Sequence, residues 1–320
     1  MNPDVAAAVG RLQEQGILTA AQAERFGRVA RGALLSVRAE LRALLYGGVL
    51  LVTAGVGLLV RENLARIGPL AVAALLWAAA AAALFWAWRY RPPFSWGDSP
   101  SRHLGFEYIL LLAALLTGAA LAYVEVKFTP LGAHWRHHLL ALALFAAALA
   151  VRGDSRLVAT LALTTLAAWL GVSASPFERA FWSAAAGAVR TTAIATGIAF
   201  LVLGWALVRY RRKAHFEPVA TYLGWMLVLA AILSGTGSGE GRGPFRAALF
   251  AVGTALALVA FRRGRFPLFG MGVAAAYVGL SALVLTGVHQ PIGPFLWFAF
   301  TGIAVLAGLL RAQRAIRERT

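Results

Sequence analysis

Three histidines, His134, His137 and His138, form the one cluster in this sequence with metal-ligand chemistry. Helical spacing puts residues 134 and 138 on one face, and imidazole binds zinc well. A site needs its ligands to converge, and the only carboxylate close in sequence is Glu125. Trp135 and Arg136 lie among the histidines, a mixture that suits a membrane boundary where amphipathic rings reside. The interfacial reading outweighs the metal reading, and no metal or cofactor is expected.

Other reactive types are sparse. The chain has no cysteine, which excludes disulfides, thiolate nucleophiles and cysteine-ligated metals. It holds neither a His-Glu-x-x-His zinc helix nor a Gly-x-Ser-x-Gly elbow, so an enzyme is not expected. The glycine-rich stretch 234–244 lacks the Gly-Lys-Ser/Thr ending of a phosphate loop and reads as a flexible connector. Four residues remain that could line a path or an interface: Asn63, Glu107, Glu125 and Arg190. Glu107 and Glu125 bracket one apolar segment at its two ends, and Arg190 sits where it can snorkel to a membrane boundary. No Asp or Glu falls near the middle of an apolar segment, so the buried acid of a coupled transporter is missing.

The elements that must position these residues are membrane spans. A chain of 320 residues that is 60% hydrophobic and 13% charged, with mean hydropathy +0.72, is not soluble as ordinary domains. A hydrocarbon core of ~30 Å needs about 20 apolar residues per helix. Ten segments approach that length: 43–60, 67–88, 106–124, 138–151, 157–174, 191–208, 218–234, 247–261, 266–286 and 291–310. The fourth and eighth are short enough to be re-entrant.

The basic residues decide between ten spans and fewer. Lys and Arg total 30 against 13 acids, for a net charge of +17, and only Lys127 and Lys213 are lysines. Ten spans place 22 of the 30 on the side of the N-terminus and 8 on the other, as the retention of Lys and Arg in the cytoplasm requires. Deleting the fourth or the eighth span alone abolishes the bias; an eight-span chain lacking both is the competitor. The expected fold is therefore all-α: a polytopic transmembrane helix bundle of about ten spans with both termini cytoplasmic. Four basic turns repeat along it, at Arg89–Arg91, Arg152–Arg156, Arg209–Lys213 and Arg262–Arg265.

Residues 1–42 are too polar for a signal peptide and read as a cytosolic helical hairpin, followed by a transmembrane domain at 43–310 and a basic tail at 311–320. Asn2 and Pro3 suit a helix start, Gly16 a helix end, and Thr19 with Gln22 a capping box opening a second helix. That helix carries Phe26, Val29, Leu34, Val37 and Leu41 on one stripe, with Arg25, Arg28, Arg31, Arg38 and Arg42 largely off it. Together with Arg311, Arg314 and Arg317 in the tail, these arginines are expected to contact anionic lipid headgroups, each contributing ~1 kcal/mol near an acidic leaflet. Nucleic acid is not expected, because aromatic residues for base stacking are not interleaved. A homo-oligomer or a protein partner at the N-terminal helices stays open.

The run Gly16-Ile17-Leu18-Thr19 with Gln22-Ala23, the glycine-bearing first span leading to Asn63, and the stretch Leu139 to Trp169 with its arginine turn resemble uncharacterised bacterial polytopic membrane proteins. These are grouped as domain of unknown function 2157. Members commonly carry Asn-Trp-Asp after the first span; here Asn63 matches while Leu64 and Ala65 replace the other two. The resemblance covers roughly the first half, implies a multi-pass protein of the bacterial inner membrane, and implies no activity.

Two functions fit these residues. The one that the number of spans favours is an uncoupled carrier or permease for a neutral, amphipathic or lipid-like substrate, with Thr117, Thr164, Thr192, Thr254 and Thr301 lining a path. The other is a non-catalytic scaffold or sensor that binds a partner through its N-terminal helices. No span carries a central proline, and Gly55, Gly57, Gly270, Gly272 and Gly308 are expected to serve close helix packing. A polar cavity at mid-membrane would favour the carrier, and a solid bundle the scaffold.

Overall fold

The computed structural model describes residues 12–16, 18–19, 22–24, 26, 38–98, 105–171, 187–237, 242–286 and 292–317. Among them every regular element is helical. Ten α-helices run in order: α1 (Arg38–Ile67), α2 (Pro69–Arg89), α3 (Phe106–Phe128), α4 (Arg136–Gly153), α5 (Arg156–Trp169), α6 (Gly187–Arg209), α7 (Glu217–Ser234), α8 (Arg242–Arg262), α9 (Phe266–Val284) and α10 (Ile292–Arg317). Each of the ten apolar segments of the sequence falls on one of these helices. By length and composition, seven of the described helices can cross a bilayer: α2, α3 and α6 through α10.

Helix lengths revise two expectations. The eighth segment, short by composition, belongs to a 21-residue helix, because Arg242–Phe245 extends it past the apolar run. The fifth, read as 157–174, has a 14-residue helix, α5, about 21 Å long and followed by a turn at Leu170 and Gly171; residues 172–174 lie outside the described part.

The chain divides into two compact units, residues 1–68 and 69–320. In the first, Gly16 takes a left-handed φ of 71° and the N–H of Leu18 bonds the Leu12 carbonyl, which closes a helical turn. Thr19 and Gln22 then form the expected capping box. The Thr19 N–H donates to Gln22 Oε1 (3.0 Å) and the Gln22 N–H to Thr19 Oγ1 (3.3 Å).

The second unit is a series of antiparallel hairpins, α2/α3, α4/α5, α6/α7 and α8/α9, with α10 packed on α9. Local chemistry starts and stops the helices. Pro218 and Pro267 open α7 and α9, where the missing N–H costs nothing. Ser155 caps α5 by accepting the Val158 N–H. Gly264, at φ 68°, lets the chain reverse after α8.

Two hairpins close by bringing backbones together. A Cβ on Gly197 would lie 2.7 Å from the Gly224 carbonyl oxygen, and one on Gly224 would lie 2.8 Å from that of Gly197. In α8/α9, a Cβ on Gly253 would lie 2.8 Å from the Gly272 oxygen, and one on Gly279 would lie 2.5 Å from the Phe250 nitrogen. Such contact maximises dispersion where no hydrophobic drive exists between helices. Of the glycines expected to pack, Gly272 does so; Gly55, Gly270 and Gly308 face open space, and the surroundings of Gly57 lie outside the described residues.

Candidate functional site

The four basic turns meet at one end of the second unit. Asp154 follows α4 in the left-handed region (φ 57°), a conformation Asp tolerates, and its N–H bonds the Ala150 carbonyl. The turn stays tight because Gly153 leaves room for Leu110 and Phe106 of α3. Lys213, also left-handed at φ 49°, comes from the α6/α7 turn and places Nζ 2.6 Å from Asp154 Oδ1. The Lys213 N–H donates to the Trp96 carbonyl at 2.7 Å, and its ammonium lies 5.3 Å from the Phe94 ring. One lysine thus joins the turns of three hairpins.

The pair is desolvated. Side-chain exposure is 3% for Lys213 and 2% for Asp154. His215, 8% exposed, brings Nε2 to 2.8 Å from the same oxygen, near enough for an ion pair but off the hydrogen-bond direction. Burying a charge without a partner is costly, so Asp154 requires Lys213 as a counter-ion. Asp98, Asp154 and His215 bring one ligand atom each to within 4.8 Å of one another, the only such trio among the described residues. The ammonium already on Asp154 Oδ1 opposes a divalent cation there, and Asp98 also faces Arg156 at 3.9 Å. The arrangement is an electrostatic clasp between turns. Sequence reasoning missed it, although Lys213 is the only lysine in any arginine turn.

The fourth hairpin joins through Glu217 at the start of α7. Its carboxylate accepts from Arg265 and from the Thr221 hydroxyl (2.9 Å), which sits over Gly204 of α6. An apolar groove of about 460 Å³ runs from this pair along α6, α7, α8 and α9.

A second groove, about 360 Å³, lies between α2, α3 and α4, with Arg91 and Arg152 at its end. The Arg91 guanidinium stacks 3.5 Å from the centre of the Trp88 ring; that of Arg152 lies 5.9 Å from both the Trp88 and Phe94 rings and donates to the Pro92 carbonyl. Burial, and then the like charge of Arg152, pull Arg91 below the ordinary arginine range.

At the opposite end, Glu125 and His138 form a smaller cluster. Glu125 accepts the N–H groups of Leu131 (3.2 Å) and Gly132 (2.9 Å), and its Oε2 lies 2.7 Å from His138 Nε2. His134 and His137 stack on each other, ring centres 5.8 Å apart, and His137 Nδ1 meets the His134 carbonyl. The three histidines therefore do not converge: His138 pairs with a carboxylate and the other two face each other. Arg190 spans between helices, donating from Nε to Ser234 Oγ (2.9 Å) and from Nη2 to the Ser234 carbonyl (3.2 Å), beside the Phe245 ring.

The remaining expected residues scatter. Glu107 lies in the first turn of α3, where a negative charge suits the helix dipole. Asn63, Arg38 and Arg42 fall on α1 and Arg317 on α10, with their side chains outside the described part. Arg311 and Arg314 are exposed on α10; Arg25, Arg28 and Arg31 lie outside the described residues. The five threonines stand on five different helices, α3, α5, α6, α8 and α10. Thr117, Thr164, Thr192, Thr254 and Thr301 each donate to a carbonyl four residues earlier in their own helix.

Residues 10–159 match the model of a family described as predicted membrane protein (DUF2157), so the N-terminal half carries the likeness that its residues suggest. No curated protein and no solved structure matches the chain.

Proposed function

From a first half of that family and a set of long apolar helices, we propose a ten-span scaffold or sensor of the bacterial cytoplasmic membrane. Both termini and the arginine turns face the cytoplasm, the N-terminal helices bind a partner, and the spans serve as its anchor. Ten described α-helices, one on each apolar segment and seven of them long and apolar enough to cross, support the span number, and the meeting of all four arginine turns at one end supports the orientation.

The observation that carries the scaffold reading is the closure of the hairpin interiors. Gly197 against Gly224 and Gly253 against Gly272 bring backbones into contact where a path would need space, and each of the five threonine hydroxyls donates to a carbonyl of its own helix. The basic arms and tail meet anionic headgroups in this reading. A second reading, an uncoupled carrier of an amphipathic or lipid-like substrate, draws on the two grooves with apolar walls and charged ends.

Reconstitution separates them. Full-length protein in vesicles should pass no lipid or small amphiphile faster than empty vesicles, while tagged protein should retain a partner that Arg25→Glu, Arg28→Glu, Arg31→Glu protein loses. Flux above the empty-vesicle rate overturns the scaffold in favour of the carrier.

A further inference from the structure

We propose that the groove between α2, α3 and α4 is a binding site for one anionic phospholipid, its phosphate held between Arg91 and Arg152 and an acyl chain lying along Phe85, Phe106 and Leu110. The inference goes beyond the scaffold reading and does not depend on it.

The groove has the two halves of such a ligand in the right order. Its walls are almost wholly apolar, and its polar groups are two guanidiniums at the end where the basic turns gather. No carboxylate lines it, so two like charges stand together without a counter-ion from the protein in the groove itself. Both are held in place, by the Trp88 and Phe94 rings and by the Pro92 carbonyl. Arg91 Nη1 is shielded from solvent and has no hydrogen-bond partner among the described residues. A buried N–H donor without an acceptor beside a second cation calls for an anionic oxygen, and a phosphodiester offers two.

Position selects a lipid over a soluble anion. Phe85 is 74% exposed and Trp88 61% on the flank of α2, so the groove opens sideways onto apolar surface that in a bilayer faces hydrocarbon. At about 360 Å³ it lies within the ~300–1,000 Å³ of small-ligand sites. A zwitterionic headgroup would add an ammonium to a cluster already doubly positive, so the net-negative lipid is selected.

Native mass spectrometry of the full-length protein, released from micelles with equal phosphatidylglycerol and phosphatidylcholine, tests the proposal. The wild-type chain should retain one phosphatidylglycerol. Arg91→Gln/Arg152→Gln protein should hold it about thirtyfold more weakly, the equivalent of ~1 kcal/mol for each arginine near an anionic headgroup. Arg136→Gln protein, altered at the exposed start of α4 and away from the groove, should behave as wild type. Equal retention of both lipids, retention unchanged by the groove substitutions, or full displacement by inorganic phosphate would overturn it, the last assigning the cleft to a soluble anion. Photocrosslinking of wild-type protein with a diazirine-bearing phosphatidylglycerol needs no variant. Label on peptides of α2 to α4 around Trp88 and Leu149 supports the site, and label confined elsewhere refutes it.

Discussion

Lys213 Nζ lies 2.6 Å from Asp154 Oδ1 although the two residues are 59 apart and belong to different hairpins. Both side chains are almost fully buried, and the lysine backbone also bonds Trp96. The ion pair ties the turns after α4 and α6, and the Lys213 backbone ties the loop after α2 to them.

Removing one partner should leave an uncompensated buried charge. Asp154→Asn and Lys213→Met should each lower stability by about 3–5 kcal/mol, and the double variant should lose less than the sum. Unfolding of purified protein in detergent measures this. High salt should leave the wild-type contribution nearly intact, because a buried pair is weakly screened; additive, salt-sensitive losses would contradict the clasp.

Glycine substitutions should divide by position. Gly253→Leu and Gly272→Leu drive a side chain into the facing backbone and should destabilise the α8/α9 hairpin by about 3 kcal/mol or prevent its closure. Gly270→Ala, two residues away in open space, should be neutral or slightly stabilising, since Ala is favoured over Gly in helices by ~0.5–1 kcal/mol. Thermal midpoints of the three proteins in one detergent decide the point.

The absence of native cysteine makes topology directly measurable. Single cysteines at Arg156, Arg211 and Arg263 should be shielded from an impermeant maleimide added outside intact cells, and cysteines at Leu131 and Leu170 should react. The same side for positions 131 and 156 would mean that α4 does not cross, and would return the chain to fewer spans.

Glu125 organises the α3/α4 connection. Glu125→Ala removes the acceptor of the Leu131 and Gly132 N–H groups and the partner of His138. Amide exchange at residues 131 and 132 should accelerate about tenfold, as expected for a loss of ~1.4 kcal/mol, with little change in α6 to α9. Unchanged exchange there would mean that the turn is held by other contacts.

The sequence by itself determined the class of molecule, the apolar segments and the basic turns between them. Each depends on local composition: a greasy run of given length, a short basic loop, or a Thr-x-x-Gln start such as Thr19 with Gln22. Tertiary structure alone decided which residues meet. Glu125 could be named as a neighbour of the histidines because only 13 residues separate it from His138. Asp154 could not be matched with Lys213, nor Arg91 with Arg152, because those pairings depend on which hairpins lie side by side. Gly270 and Gly272 make the same point: at ~100° per residue they lie on nearly opposite faces of one helix, and only packing tells which face meets α8.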